Sequence, residues 1–102
     1  MTAIEQYVTI QDYLQGRRCV ITGSSGTIGR TFAEFIASCG GIPILVDVAP
    51  QPDTEAAVTA LGASYSAHQV DISDVGAIEA FYKDVTERYG GVDMLVNNAG
   101  LL

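Results

Sequence analysis

The chain has 102 residues, of which 48% are hydrophobic and 17% are charged, and its net charge at pH 7 is −7. This length and composition predict one small domain with a buried core. The acidic charge argues against a nucleic-acid partner, which needs a basic face, and against an anionic membrane surface. No apolar run approaches the length of a membrane span, and residues 1–16 lack the features of a secretory signal.

Apolar strands alternate with helical spacings along the chain. After an N-terminal tail at residues 1–14, in which a short helix is the alternative, strands are predicted at 18–22, 42–48, 64–71 and 92–97. Three helices separate the strands and end at glycines. The first has Ile28, Phe32, Phe35 and Ile36 at helical spacing and ends at Gly40-Gly41; the others end at Gly62 and Gly90-Gly91. This order predicts an α/β fold of the Rossmann type, a doubly wound parallel sheet with strand order 3-2-1-4.

The segment ITGSSGTIG, residues 21–29, joins the first strand to the first helix. Its glycines, Gly23, Gly26 and Gly29, suit a tight turn, a close approach of phosphate to the backbone and close packing of helix on strand. The helix that follows begins with free N–H groups and a partial positive charge, which attract phosphate. The segment therefore predicts a phosphate-binding loop, with a plain turn as the alternative. Three hydroxyl side chains add further donors: Ser24, Ser25 and Thr27.

Acidic residues end the second and third predicted strands. Asp47 follows Gly29 by eighteen positions, and a carboxylate about 20 residues past such a loop binds the ribose hydroxyls of NAD. The same carboxylate repels the 2′-phosphate of NADP, and no Arg or Lys follows it through Ala63. Asp71, at the end of the third strand, lies at the same edge of the sheet. There it could accept a hydrogen bond from the adenine amino group. NAD is therefore the predicted cofactor, and plain strand-end acids are the alternative.

With Asn97-Asn98-Ala99-Gly100 at the end of the fourth strand, the chain resembles a short-chain dehydrogenase/reductase over residues 14–100. The NNAG segment follows a V-D-x-L-V run, as it does in the classical branch of that family. The loop departs from the classical T-G-x-x-x-G-x-G pattern, because its middle glycine comes one place early and Thr27 stands where glycine is usual. That spacing is typical of the extended branch, which includes sugar-nucleotide epimerases and stays an alternative.

The resemblance implies a role for each matching residue. The glycine loop would wrap the pyrophosphate, the acid of the second strand would bind the adenosine ribose, and the acid of the third strand would meet the adenine with the next backbone group. Two residues of the NNAG segment would line the cofactor cleft through backbone groups, whereas Asn97 would tie the fourth strand to its neighbours. The residues assigned to the cofactor are Gly23, Ser24, Ser25, Gly26, Thr27, Ile28, Asp47, Asp71, Ile72, Asn98 and Gly100.

The family's catalytic residues have no counterpart in this sequence. In the family, a tyrosine moves the proton, a lysine four residues later lowers the tyrosine pKa, and a serine polarises the substrate carbonyl. The single lysine, Lys83, follows Tyr82 directly, and the residue four before it is Glu79. No catalytic residue and no metal site are predicted, and His68 is expected to have no chemical role.

These features predict the cofactor-binding portion of an NAD(P)-dependent oxidoreductase that transfers hydride between NAD(H) and a secondary alcohol or ketone. Residues 15–102 are expected to form an NAD-binding half-domain, truncated after the fourth strand. The resemblance also implies a homo-oligomer and a small-molecule alcohol or carbonyl substrate in the complete protein. Cys19 and Cys39 fit reduced thiols in a cytoplasmic protein. A non-catalytic NAD(H)-binding module and a fragment with no function of its own are the alternatives.

Overall fold

Four parallel strands form one sheet in a computed structural model that describes residues 9–99. The strands are β1 (Arg18–Thr22), β2 (Ile42–Asp47), β3 (Ser66–Gln69) and β4 (Met94–Val96). The helices are α1 (Ile10–Leu14), α2 (Thr27–Ser38), α3 (Pro52–Ala60) and α4 (Val75–Tyr89). The sheet order is β3-β2-β1-β4, with every neighbouring pair parallel. The predicted Rossmann-type topology is therefore confirmed.

The central strands are buried on both faces because their interior residues, 19–21 and 43–46, are apolar and alternate side chains point to opposite sides of a strand. One core cluster packs β1 and β2 against α2 and α3 and contains Leu14, Cys19, Ile21, Ala33, Ile36, Ala37, Leu45 and Val58. The other packs the opposite face against α4 and contains Val20, Ile44, Val46, Val70, Phe81 and Val85. Each face of the sheet thus has its own helical cover, as a doubly wound fold requires.

Three strands are shorter than predicted: β2 ends at Asp47 rather than at residue 48, and β3 and β4 are also shorter. Strand β3 stops at Gln69 rather than Asp71, although the Val70 N–H still donates to the Asp47 carbonyl at 2.9 Å. The chain then turns, because Asp71 accepts hydrogen bonds from the backbone and hydroxyl of Ser73 at 2.9 and 2.6 Å. Strand β4 covers Met94–Val96 rather than 92–97. Asp71 therefore lies in a turn beyond its strand, not on it.

The predicted N-terminal segment contributes to the core through its last residue. Thr9 caps α1, since its hydroxyl accepts a hydrogen bond from the Asp12 N–H at 3.2 Å. Leu14 ends this helix and is only 2% exposed. The boundary of the domain at residue 15 stays a prediction. Among residues 9–99, no helix combines the length and hydropathy that a membrane crossing needs.

Helix α2 has two apolar faces. Its buried face consists of Gly29, Ala33, Ile36 and Ala37. The larger apolar side chains that marked the helix in the sequence lie mostly on the other face, where Ile28 is 65% exposed and Phe32 and Phe35 are 41% and 42% exposed. Small residues face the sheet because the helix packs close to β1 and β2, so the bulky residues point away from it.

Arg18 connects the two ends of the described chain. Its guanidinium donates to both carboxylate oxygens of Asp93, at 2.8 and 3.0 Å, and to the Tyr89 carbonyl at 2.7 Å. The Arg18 backbone N–H also donates to Asp93, at 2.9 Å. The side-chain and backbone hydrogen bonds from Arg18 hold the pKa of Asp93 well below its usual range. This bidentate pair fixes the start of β4 beside β1 and closes the end of α4.

Replacing Asp93 with Asn should lower the midpoint of urea unfolding near neutral pH. Because folding lowers the pKa of Asp93, its stabilising effect is fully present above the ordinary pKa of 3.8 and is lost as the pH falls below it. The difference between the wild type and Asp93→Asn should therefore shrink in acid. Glu79→Gln, an exposed change on α4, serves as the control and should show no comparable loss. If Asp93→Asn lowers the unfolding midpoint by the same amount at every pH, the ionised carboxylate of Asp93 is not what stabilises the fold.

Candidate nucleotide-binding site

The turn from β1 into α2 contains two glycines that the fold itself requires. Gly23 has φ +67°, a conformation that side chains disfavour. A Cβ on Gly29 would overlap the carbonyl oxygen of Gly23. Gly26 is different: a Cβ there would meet only the Gly23 oxygen, at 3.6 Å. The missing side chain of Gly26 is therefore not needed for packing, and it leaves the start of α2 uncovered.

The N-terminus of α2 is open toward solvent. Gly26 is the N-cap and offers no side-chain hydrogen bond, and the first helical bond runs from the Arg30 N–H to the Gly26 carbonyl at 2.8 Å. The N–H groups of the first three helical residues, 27–29, consequently have no acceptor within the helix. Together with the helix dipole, they form a site suited to an anion. The side chains of Thr27 and Ile28 lie elsewhere, in a groove with Phe32 and Phe35.

The prediction that the Ser24 hydroxyl is a phosphate donor is wrong. Ser24 is fully buried, and its hydroxyl lies 3.1 Å from the Val46 carbonyl and 2.5 Å from Gln51 Oε1. The Ser24 backbone also bonds to β2, through an N–H that donates to the Val46 carbonyl at 3.2 Å. Ser24 is thus turned inward and anchors the loop to β2, which leaves its neighbour Ser25 as the exposed serine.

Two buried polar residues that support the loop were missed from the sequence. The Thr54 hydroxyl donates to the Ser24 carbonyl at 2.7 Å, and Gln51 meets the Ser24 hydroxyl. Thr54 and Gln51 are 1% and 5% exposed. They lie at the start of α3, where Pro52 marks a helix N-terminus. The only signal in the sequence was a threonine in the first turn of α3. Its contact with the glycine loop could not be predicted without knowing where the loop lies.

Asp47 lies at the end of β2 beside the glycine loop. Its Oδ2 accepts hydrogen bonds from the N–H and the hydroxyl of Ser25, at 3.0 and 2.7 Å, and its Oδ1 accepts one from the Ala49 N–H at 3.0 Å. Partial burial pushes the pKa of Asp47 upward, but the hydrogen bonds from Ala49 and Ser25 outweigh it and lower the pKa overall. Asp47 is therefore a carboxylate at neutral pH.

A cleft of about 480 Å³ brings the predicted residues of the loop and the strand ends together. It is lined by Gly23, Ser25, Gly26, Val46, Asp47, Val48, Val70, Asp71, Ile72, Ser73, Asn98 and Ala99. Hydrogen bonds from Ser73 lower the pKa of Asp71, so both acids in the cleft are ionised at neutral pH. No Lys or Arg belongs to this lining among residues 9–99. The cleft is thus acidic on its strand-end side and open to the helix N-terminus at the loop.

Thr22 holds the end of β4 against the loop. Its hydroxyl accepts hydrogen bonds from the N–H groups of Asn98 and Ala99, both at 3.0 Å, and lies 3.4 Å from Asn97 Oδ1. The Asn98 side chain donates to the Gly23 carbonyl at 3.3 Å. Asn97 therefore contacts β1, which is the contact expected of a residue that ties the fourth strand to its neighbours. Asn98 lines the cleft. The predicted contribution of Gly100 lies outside the described residues.

The remaining candidate side chains are away from the cleft. His68 Nε2 contacts the Ser66 hydroxyl at 2.8 Å, and burial lowers the His68 pKa, so the ring is neutral at pH 7. Burial raises the pKa of the Cys19 thiol to about 11, and both cysteines are free. Within the part of the chain that the structure describes, no His, Cys, Asp and Glu side chains cluster as metal ligands would.

Comparison with known proteins identifies the family. The family model for short chain dehydrogenases matches residues 17–102, so the chain belongs to the short-chain dehydrogenase family. Galactitol 2-dehydrogenase of Agrobacterium fabrum is 36% identical over 88 residues, which are 86% of this chain and 34% of that protein. The 2-dehydro-3-deoxy-D-gluconate 5-dehydrogenase of Pseudoalteromonas atlantica is 36% identical over 92 residues, with 87% and 36% covered.

Solved structures agree with this placement. NAD+-bound xylitol dehydrogenase superposes with a TM-score of 0.82 at 29% identity, over 86% of this chain and 35% of that one. A metagenomic short-chain oxidoreductase in complex with NADP gives 0.81 at 37% identity, over 86% and 40%. The chain thus spans about a third of the length of the curated relatives it matches. These relatives are named dehydrogenases, which favours the prediction of an oxidoreductase over a nucleotide-sugar epimerase.

The two glycines of the loop should respond differently to alanine. Gly29→Ala forces a Cβ into the Gly23 carbonyl and should lower the free energy of unfolding by about 2 kcal/mol or more. Gly26→Ala places its Cβ in ordinary van der Waals contact with the Gly23 oxygen and should change the free energy of unfolding by less than about 1 kcal/mol. Urea unfolding followed by circular dichroism measures both. Equal losses for the two variants would show that the close contact at Gly29 does not support the fold.

Proposed function

We propose that this chain is the cofactor-binding portion of an NAD(P)-dependent short-chain oxidoreductase. The observation that carries the proposal is that the uncovered N-terminus of α2 at Gly26 and the ionised carboxylate of Asp47 border one cleft. A dinucleotide has an anionic pyrophosphate and a ribose with hydroxyl donors, so it needs both features at once. The NAD and NADP complexes of the similar solved structures support the same ligand class.

The residues of the cleft fit such a cofactor. The pyrophosphate would be held by backbone N–H groups of residues 27–29, with Gly26 leaving room for close approach. The adenosine ribose would donate to Asp47. The adenine would lie between the apolar side chains of Val48 and Ile72, which are 61% and 38% exposed. Asp71, already held by Ser73, would face the adenine amino group from beyond β3.

The cleft favours NAD over NADP in this proposal. An additional 2′-phosphate would lie beside Asp47, and Asp71 adds a second negative charge to the same lining. Like charges brought together at a binding site weaken association unless a cation intervenes. Arg30, the cation nearest the loop in the sequence, points its guanidinium at Glu34, 3.6 Å away. No compensating cation therefore lines the cleft among residues 9–99.

The complete activity that we propose is hydride transfer between a nicotinamide and a secondary alcohol or ketone. The bound nicotinamide supplies the hydride chemistry. This chain's own residues bind and orient the cofactor, and the acid, base and carbonyl-polarising groups are not among its 102 residues. A homo-oligomer and a small alcohol or carbonyl substrate belong to the complete protein in the same proposal. The alternative is a module that binds NAD(H) without turnover, which the absence of a Tyr-x-x-x-Lys pair from this sequence keeps open.

Titration with NADH and NADPH tests the site. The wild-type chain should bind NADH more tightly than NADPH. The fluorescence of the reduced nicotinamide measures the binding of each. Asp47→Asn removes the charge that repels the 2′-phosphate. It should reduce the ratio of the NADPH dissociation constant to the NADH dissociation constant by about tenfold. Asp53→Asn, the same chemical change at an exposed position outside the cleft, should leave the ratio unchanged. Equal affinity of the wild type for both cofactors would refute the proposed selectivity.

Turnover separates the two functional proposals. The 102-residue chain should show no NADH formation from NAD+ and secondary alcohols above the background of buffer, because its sequence has no Tyr-x-x-x-Lys pair to move the proton. Tyr82→Phe should make no difference, since Tyr82 lies on α4 directly before the only lysine. Turnover that Tyr82→Phe abolishes would place a catalytic group within this chain and overturn the proposal.

A further inference from the structure

His68 lies in a small polar cluster between strand β3, at one end of the sheet, and helix α4. Its Nε2 is 2.8 Å from the Ser66 hydroxyl, and its Nδ1 is 3.8 Å from Asp84 Oδ2. The ring meets Phe81 edge to face, with 5.0 Å between the ring centroids. The side chain of His68 is only 13% exposed, whereas that of Asp84 is 62% exposed. The imidazole is therefore packed beneath α4, with one carboxylate beside it at the solvent boundary.

A positive charge on this ring has little compensation in the native packing. The charged groups that act on it belong to α4, where Asp84 attracts an imidazolium and Arg88 repels it. On β2, the register partner of His68 is the apolar Val46. On β3 itself, the Ser66 hydroxyl is neutral and can hydrogen-bond to either form of the ring. Burial therefore dominates and lowers the pKa of His68, so the native packing accommodates the neutral ring.

Strand β3 leads from His68 directly into a wall of the nucleotide cleft. Val70 follows the strand and belongs to the same core cluster as Phe81, and its N–H donates to the Asp47 carbonyl at 2.9 Å. The next three residues, 71–73, line the cleft and include the proposed adenine contacts. Only two residues separate His68 from this segment. The packing of β3 against α4 thus sets the position of the cleft wall.

We propose that His68 is a proton-operated switch for the nucleotide cleft. Protonation draws the ring away from Phe81 toward Asp84, displaces β3 and weakens the binding of a dinucleotide. This inference rests on the proposed function and concerns the regulation of that site. The charged ring gains an ion pair and recovers hydration by moving toward the exposed carboxylate. Since the ring packs β3 against α4 through Phe81, its movement loosens the strand whose next residues form the cleft wall.

The titration of His68 is separate from that of the acids in the cleft. His68 is the single histidine of the chain, and histidine is the one side chain whose ordinary pKa lies between 5 and 8. Although burial opposes it, hydrogen bonding lowers the pKa of Asp47, and the hydrogen bonds from Ser73 lower the pKa of Asp71. Both carboxylates therefore stay ionised while His68 takes up its proton.

Parallel titrations of His68 and of the affinity for NAD+ test the proposal. The single histidine gives an unambiguous NMR signal whose midpoint reports protonation of the folded chain, and calorimetry measures the NAD+ dissociation constant at each pH. In the wild type, this constant should rise at least about threefold from about pH 8 to one unit below the midpoint. His68→Gln cannot be charged and should keep the constant within about 1.5-fold over the same range. An equal pH dependence in His68→Gln would refute the switch.

Two substitutions on α4 separate the switch from a general effect of acid. Asp84→Asn removes the attraction for an imidazolium and should lower the midpoint of His68, whereas Arg88→Gln removes the repulsion and should raise it. The pH at which the affinity for NAD+ falls should move with the midpoint in both variants. If the NMR midpoint moves and the affinity profile does not, His68 titrates without controlling the cleft and the proposal is wrong.

Failure of the switch is distinguishable from failure of the proposed function. A wild-type chain that binds no NAD+ at about pH 8 contradicts the proposed function. The movement of the cleft wall is then measured without ligand: the amide NMR signals of Ile72 and Ser73 should follow the midpoint of His68 in the wild type and stay constant in His68→Gln. Amide signals that do not follow the midpoint show that β3 is not displaced, which contradicts the switch.

Circular dichroism at each pH shows whether the chain is still folded. Because folding lowers the pKa of His68 from its ordinary value of 6.5, the unfolded chain takes up the proton first. The stability that the neutral ring contributes is therefore fully present above pH 6.5 and is lost as the pH falls below it. If the chain unfolds before the NMR signal of the folded state titrates, acid acts on the whole fold and the proposed switch is wrong.

Discussion

The close approach of helix α2 to the glycine loop is the constraint on which the site depends. A Cβ at Gly29 would overlap the Gly23 carbonyl, so the helix can begin immediately behind the loop only because residue 29 has no side chain. That placement brings the positive end of α2 to the edge of the sheet where β1 and β2 end. The same turn buries Ser24 and exposes Ser25 next to Asp47. One steric requirement therefore determines which serine is structural and which is available in the cleft.

One side of the cleft attracts negative charge, and the other side carries negative charge. The loop side offers backbone N–H groups that suit an anion, while the strand-end side carries two carboxylates. A ligand that fits both must itself be divided into an anionic part and a part rich in hydroxyl and amino donors. This division follows from the order of elements in a doubly wound sheet, in which helix N-termini and strand C-termini meet at one edge. Among the lining residues that the structure describes, no Lys or Arg lies beside the two acids.

The sequence was sufficient for the fold and for the location of the cleft, because both follow from periodicity and glycine placement. It predicted the strand order and brought Gly23, Gly26, Asp47 and Asn98 to one lining. The prediction from the sequence was wrong about the Ser24 hydroxyl. Two adjacent serines in a loop look alike in the sequence, and only the backbone conformation decides which of them points into the protein. The prediction also missed Gln51 and Thr54, whose contacts to Ser24 span 27 and 30 positions in the chain, respectively. Local patterns do not encode which distant carbonyl a buried hydroxyl will meet.

The pairing of β1 with β4 has a consequence for synthesis of the chain on the ribosome. Strand β1 lies between β2 and β4, and the Arg18–Asp93 bond joins residues 75 positions apart. The first strand to emerge therefore keeps one hydrogen-bonding edge open until nearly all of the described chain has been made. Such long-range pairing is slow to form and exposes strand edges meanwhile. The nascent chain thus passes through a stage in which the buried residues of β1 have no strand partner on the side that β4 later covers.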